Sequence, residues 1–165
     1  MLSNSARKVG PKVGTRNIEA EDLRAVELFG SLSEEQKKTA WVGREAPRHL
    51  NSGPPTKLPM PTPDGIAAED LQPEQRATLE AIVAGYLSSL PESVAAARKK
   101  AIEAGGAENL RFAWFGSPSD DQPYYYRLQG PTFLAEFDNT QKDAYGRDAG
   151  HIHSVWRSPK GDFKD

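Results

Sequence analysis

His151 and His153 stand two apart in the segment HIHSVWR, and the chain holds only three histidines. Residues two apart on a β-strand project from the same face. Both imidazoles therefore point one way if this segment is a strand. The neighbouring segments PYYYRLQG and TFLAEFDN add Arg127, Glu136 and Asp138, and Arg157 follows the histidines. Imidazoles beside carboxylates support two chemistries. The first is divalent-metal binding. Zn, Cu, Fe and Ni all accept imidazole, and two histidines with one carboxylate leave coordination positions open. His151 and His153 would be ligands, with Asp138 or Glu136 as the third ligand or as a base. The second is metal-free acid–base work. Glu136 bonded to one ring nitrogen would fix the tautomer and leave the other nitrogen to move protons. In either case Arg127 or Arg157 would clamp a carboxylate or phosphate on a small polar substrate. The plainer alternative is a solvated strand face, with Arg–Glu pairs across strands and histidines that bond to their neighbours. The H-x-H spacing is short and common, so the residues leave open whether the domain is an enzyme or a non-catalytic binding or interaction module.

The elements that must position these side chains fall in two blocks. From Asn109 onward the apolar period is two. LRFAWFG, PYYYRLQG, TFLAEFDN and HIHSVWR read as four strands rich in aromatic and β-branched residues, punctuated by Gly and Pro. Short connections favour an antiparallel meander. The alternation puts Phe133, Ala135, Phe137, Ile152 and Trp156 on a helix-covered face. It gathers Arg127, Glu136, Asp138, His151, His153 and Arg157 on the other. The run Tyr124–Tyr126 reads as core and cross-strand residues.

Upstream the period is helical. A first helix is expected over 19–30 and a second after Ser33, where Gln36 completes a capping box and Trp41 and Val42 close the turn. A third starts at Pro73, with a stripe through Leu79, Ile82, Val83, Tyr86, Leu87 and Leu90. A fourth follows Pro91 and stops at Gly105-Gly106. Residues 1–18 read as a flexible lead-in. Residues 43–65 are crowded with Pro and Gly and read as a linker or arm over the surface, with His49 as a surface residue. The fold class is α+β: a helical N-terminal two-thirds packed on a four-stranded, mainly antiparallel C-terminal sheet, with residues 19–165 as one domain.

The chain has 165 residues, 37% hydrophobic and 27% charged, with a formal net charge of −2. That length buries roughly 68–70% of the extended-chain surface. The charge balance offers no electrostatic case for nucleic acid. No apolar run approaches the ~20 residues of a membrane span. The first residues have no apolar signal-peptide core. With no cysteine, disulfides and thiolate metal sites are excluded. No phosphate loop, dinucleotide fingerprint or serine-nucleophile motif occurs.

Taken together, Phe112-Ala-Trp, Tyr125-Tyr-Arg-Leu-Gln-Gly-Pro-Thr-Phe-Leu, Glu136-Phe-Asp-Asn-Thr-Gln, His151-Ile-His-Ser-Val-Trp-Arg and Asp162-Phe resemble the C-terminal half of the bacterial domain-of-unknown-function family 3500. The resemblance spans residues 19–163 and is strongest over 109–163. The chain departs from the family in a longer Lys142–Gly150 loop, in Gly150 where Asn is expected, and in Lys164 where Gly is expected. The resemblance implies a bacterial protein from a family that is often exported, with no assigned activity. It also implies a partial domain, whose partner would be a missing N-terminal half or a second subunit. One sheet edge is then expected to be unpaired.

Overall fold

The structure, a computed structural model, describes residues 19–52, 61–119, 121–144, 146 and 148–159. The expected lead-in and the end of the chain from residue 160 lie outside the described residues, as does the middle of the proline-rich arm.

Among the described residues, four α-helices form where the periodicity places them: α1 (Glu19–Ser31), α2 (Glu34–Ala40), α3 (Pro73–Ser88) and α4 (Glu92–Gly105). The start of α2 shows why. Ser33 Oγ accepts from the Gln36 backbone N–H, and the Gln36 side chain accepts from the Ser33 N–H. Two donors left over at the helix end are satisfied reciprocally. At the start of α3, Pro73 occupies the first turn, where its missing N–H costs nothing.

The sheet differs from the expected four strands. Among the described residues it has six: β1 (Trp41–Gly43), β2 (Ile66–Ala67), β3 (Arg111–Gly116), β4 (Tyr124–Gly130), β5 (Phe133–Gln141) and β6 (His151–Arg157). The order is β1-β3-β4-β5-β6, with β2 also pairing β3. β3 to β6 form the antiparallel meander. β1 runs parallel to β3, so the sheet is mixed, and two strands interrupt the helical part of the chain. Two- and three-residue strands are too short to carry a period of two. Trp41, read as the close of α2, joins the sheet because its indole N–H donates to the Gly116 carbonyl at 3.0 Å and its ring meets Phe29 edge-on. Among the described residues, no further strand pairs the outer edge of β6.

The core lies between the helices and one sheet face. Leu28 and Phe29 of α1 and Leu79, Ile82 and Val83 of α3 pack on Phe112, Trp114, Tyr126, Phe137 and Ile152. Phe29, Trp114 and Tyr124 stack in series at centroid spacings of 4.7 and 4.9 Å. Each such buried ring contributes roughly 1.5–3 kcal/mol. Asp22 of α1 is buried and accepts a hydrogen bond from the Tyr124 hydroxyl. The opposite sheet face is not bare. The described parts of the proline-rich arm lie across it, held by hydrogen bonds and an ion pair to its polar side chains.

Candidate functional site

In register, Arg127 stands opposite Glu136, and Asp138 opposite His153. The β5–β6 register then shifts. After Asp138↔His153 the next pair is Gln141↔His151, so Asn139 and Thr140 together face Ile152. A bulge of this kind re-aims side chains and is frequent beside active sites. Here it brings Gln141 opposite His151.

Three of the six ionisable residues expected on this face form a chain. Asp138 is fully buried, and its Oδ1 and Oδ2 lie 2.9 and 3.2 Å from Nδ1 of His153. Nε2 of His153 lies 2.9 Å from Nε2 of His151, with the rings 4.6 Å apart and 63° inclined. His151 and His153 are both partly exposed. Burial pushes the Asp138 carboxyl above its ordinary value, and the hydrogen bond and charge of His153 pull the other way, followed by the charges of His49 and His151. All three of the chain's histidines thus act on one buried carboxylate. With that carboxylate ionised, it accepts from Nδ1–H of His153. Nε2 of His153 then carries a lone pair and accepts from Nε2–H of His151, which leaves the lone pair of His151 Nδ1 as the basic end of the chain. A ring's two nitrogens diverge, so Asp138 sits behind His153 rather than beside the two Nε2 atoms, where a third metal ligand would stand. Among the described residues, no group of three or more His, Cys, Asp or Glu side chains is arranged to hold a metal ion.

The other three residues hold the arm. Glu136, 1% exposed, accepts the backbone N–H groups of Asn51 at 2.8 Å and Ser52 at 3.1 Å, and the Tyr125 hydroxyl at 2.6 Å. Burial raises the Tyr125 phenol well above its usual range, and the Glu136 charge adds to the shift. Arg157 donates to the carbonyl and hydroxyl of Ser52, each at 3.4 Å. Arg127 passes over its register partner Glu136 and pairs with Asp64 at 2.9 Å. Gln129, not expected to act, donates to the Pro61 carbonyl at 2.8 Å. The described ends of the arm, at Asn51–Ser52 and at Pro61 and Asp64, are therefore tied down to the polar face, and the arm is called the strap below. Asp138, rather than Glu136, is the carboxylate bonded to a histidine ring.

Sequence reasoning left His49 as a surface residue. It is exposed, and it also lines a cleft of about 570 Å³ with Arg48, Thr140, Gln141 and Lys142. Its Nδ1 lies 3.3 Å from the Gln141 side-chain nitrogen, beside the bulge that faces His151. No spacing in the sequence links position 49 to positions 138–153. The scarcity of histidine is the one hint.

Fold and site define an α+β domain whose mixed sheet carries a helical layer on one face and a strap on the other, with a carboxylate-bound histidine pair at the strap's edge. The family described as "Protein of unknown function (DUF3500)" matches residues 3–165, and the chain belongs to it. The match covers essentially the whole chain. It is wider than the span 19–163 that the motifs suggested, and nothing in it supports a missing half or any particular partner. Neither a curated protein nor a solved structure matches the chain. No described helix is long and apolar enough to cross a membrane.

Proposed function

We propose that Asp138, His153 and His151 form a proton relay serving a small polar substrate at the adjoining cleft. The single observation behind this reading is the run of two 2.9 Å contacts, carboxylate to ring and ring to ring. A proton taken up at His151 Nδ1 lets Nε2–H pass its proton to His153, where the imidazolium faces Asp138. The carboxylate fixes the tautomer and supports the charge that forms, the role such a group plays behind a general base. Glu136, Arg127 and Arg157 contribute by fixing the strap, which carries His49 to the cleft.

A second reading has its own observation. Two nitrogens each ~2.0–2.1 Å from a metal lie ~2.9 Å from each other at the ~90° angle of a square-planar or octahedral centre and ~3.3 Å at a tetrahedral one, and Nε2 of His151 and Nε2 of His153 are 2.9 Å apart. His151 and His153 would then hold a divalent Zn, Cu or Fe ion, with Asp138 orienting His153 from behind.

Tautomer-resolved ¹H–¹⁵N spectra of the imidazoles test both. The relay requires His153 to be protonated on Nδ1 at neutral pH, and the two rings to titrate as a coupled pair. Independent titrations near ~6.5, with both rings protonated on Nε2, would rule it out. Stoichiometric Zn²⁺ binding in calorimetry, lost in His151→Ala, would favour the metal reading.

A further inference from the structure

We infer that the cleft lined by His49 and by Gln141, the residue opposite His151, binds a small oxyanion, a carboxylate- or phosphate-bearing molecule, between Arg48 and Lys142. This identifies the substrate class of the relay. Binding itself does not depend on the relay; only the proton transfer to or from the bound molecule rests on that reading. Size permits the oxyanion, since the volume of about 570 Å³ lies within the range of small-molecule sites, roughly 300–1,000 Å³. Charge selects it. The lining carries Arg48 and Lys142 against one acidic side chain among the described residues, Asp148.

Arg48 is placed without being neutralised. Its carbonyl accepts from Thr140 Oγ1 at 3.2 Å and from Gln141 Nε2 at 3.4 Å, which pins its backbone to the bulge. Among the described residues its guanidinium has no ion-pair partner. Lys142 pairs with Asp148 at 3.0 Å, but the two side chains are 70% and 65% exposed. Such pairs contribute little, so an incoming oxyanion can take the place of Asp148. His49 adds a donor. With Nδ1 accepting from the Gln141 amide, its Nε2 carries the proton. An uncharged sugar or alcohol would leave the excess positive charge of the described lining residues unanswered.

The test is a titration of ¹⁵N-labelled protein at constant ionic strength, replacing chloride by inorganic phosphate or by acetate. The expected result is saturable shifts confined to the amides of residues 48–49 and 140–142, with the stronger of the two probes naming the source chemistry. Arg48→Gln should weaken binding roughly fivefold, the scale of one exposed charge contact. Lys142→Gln serves as a second variant should Arg48→Gln perturb the fold. Linear, unsaturating shifts equal to those in chloride, or unchanged affinity in both variants, would overturn the inference. Saturation at Arg48 with unmoved His151 and His153 imidazole signals would leave the oxyanion site standing and remove its link to the relay.

Discussion

Asp138 and His153 are register partners across β5 and β6, and the carboxylate Oδ1 lies 2.9 Å from the ring Nδ1. One is fully buried, and the other is 18% exposed. The acid is thus set as an inner anchor and the ring as its link toward solvent. This pairing also holds a carboxylate where burial opposes its charge.

That opposition sets a pH dependence. The folded Asp138 holds its proton more tightly than the unfolded chain, whose ordinary value is 3.8. Its stabilising contribution is full below that value and is lost as pH rises through the higher folded one. Asp138→Asn cannot ionise. Its stability relative to the wild type should therefore rise with pH across that window and then level off. Urea midpoints from pH 3 to 8 check this. A difference that stays flat or falls would mean that His153 outweighs burial.

Glu136→Gln should loosen the strap and leave the histidine pair intact. The amide keeps one acceptor oxygen but turns an NH₂ toward backbone N–H donors that now meet a carboxylate. A loss of about 1–3 kcal/mol is expected for a buried group so mismatched. Hydrogen exchange at Asn51 and Ser52 should accelerate, while the His151 and His153 titrations stay in place. A shifted imidazole titration with unchanged exchange would instead assign Glu136 to the histidines.

Gly65→Ala should break the strap's return to the sheet. Gly65 has φ +90°, and an added Cβ would lie 2.2 Å from the Phe112 carbonyl oxygen. The left-handed backbone alone costs on the order of 1–3 kcal/mol for a residue with a side chain. The clash adds to this at the start of β2 and next to the Asp64–Arg127 pair. Thermal unfolding should show the loss, and a Gly65→Ala protein of wild-type stability would mean that the β2–β3 pairing contributes little.

The four helices and the four long strands were legible because each repeats its period several times. The Leu79–Leu87 stripe of α3 and the alternation in TFLAEFDN are long enough to mark a buried side. The same alternation grouped the six polar residues on one sheet face. β1 and β2 were not legible, since two or three residues carry no period. The role of the strap was hidden for another reason. Asn51, Ser52 and Pro61 reach the sheet through backbone N–H and C=O groups, which every sequence carries and none advertises.

By itself, then, the sequence determined which residues share a face and that two imidazoles stand together on it, because side-chain direction follows from local backbone period. Tertiary structure decided which carboxylate those imidazoles meet. Glu136 and Asp138 are two apart on one face and equivalent by pattern. Strand register set Asp138 against His153, and the strap claimed Glu136. His49 came to the site from some ninety residues away, by strap docking that no local rule encodes. Contacts between segments so far apart depend on how the layers pack, and only the folded chain decides that.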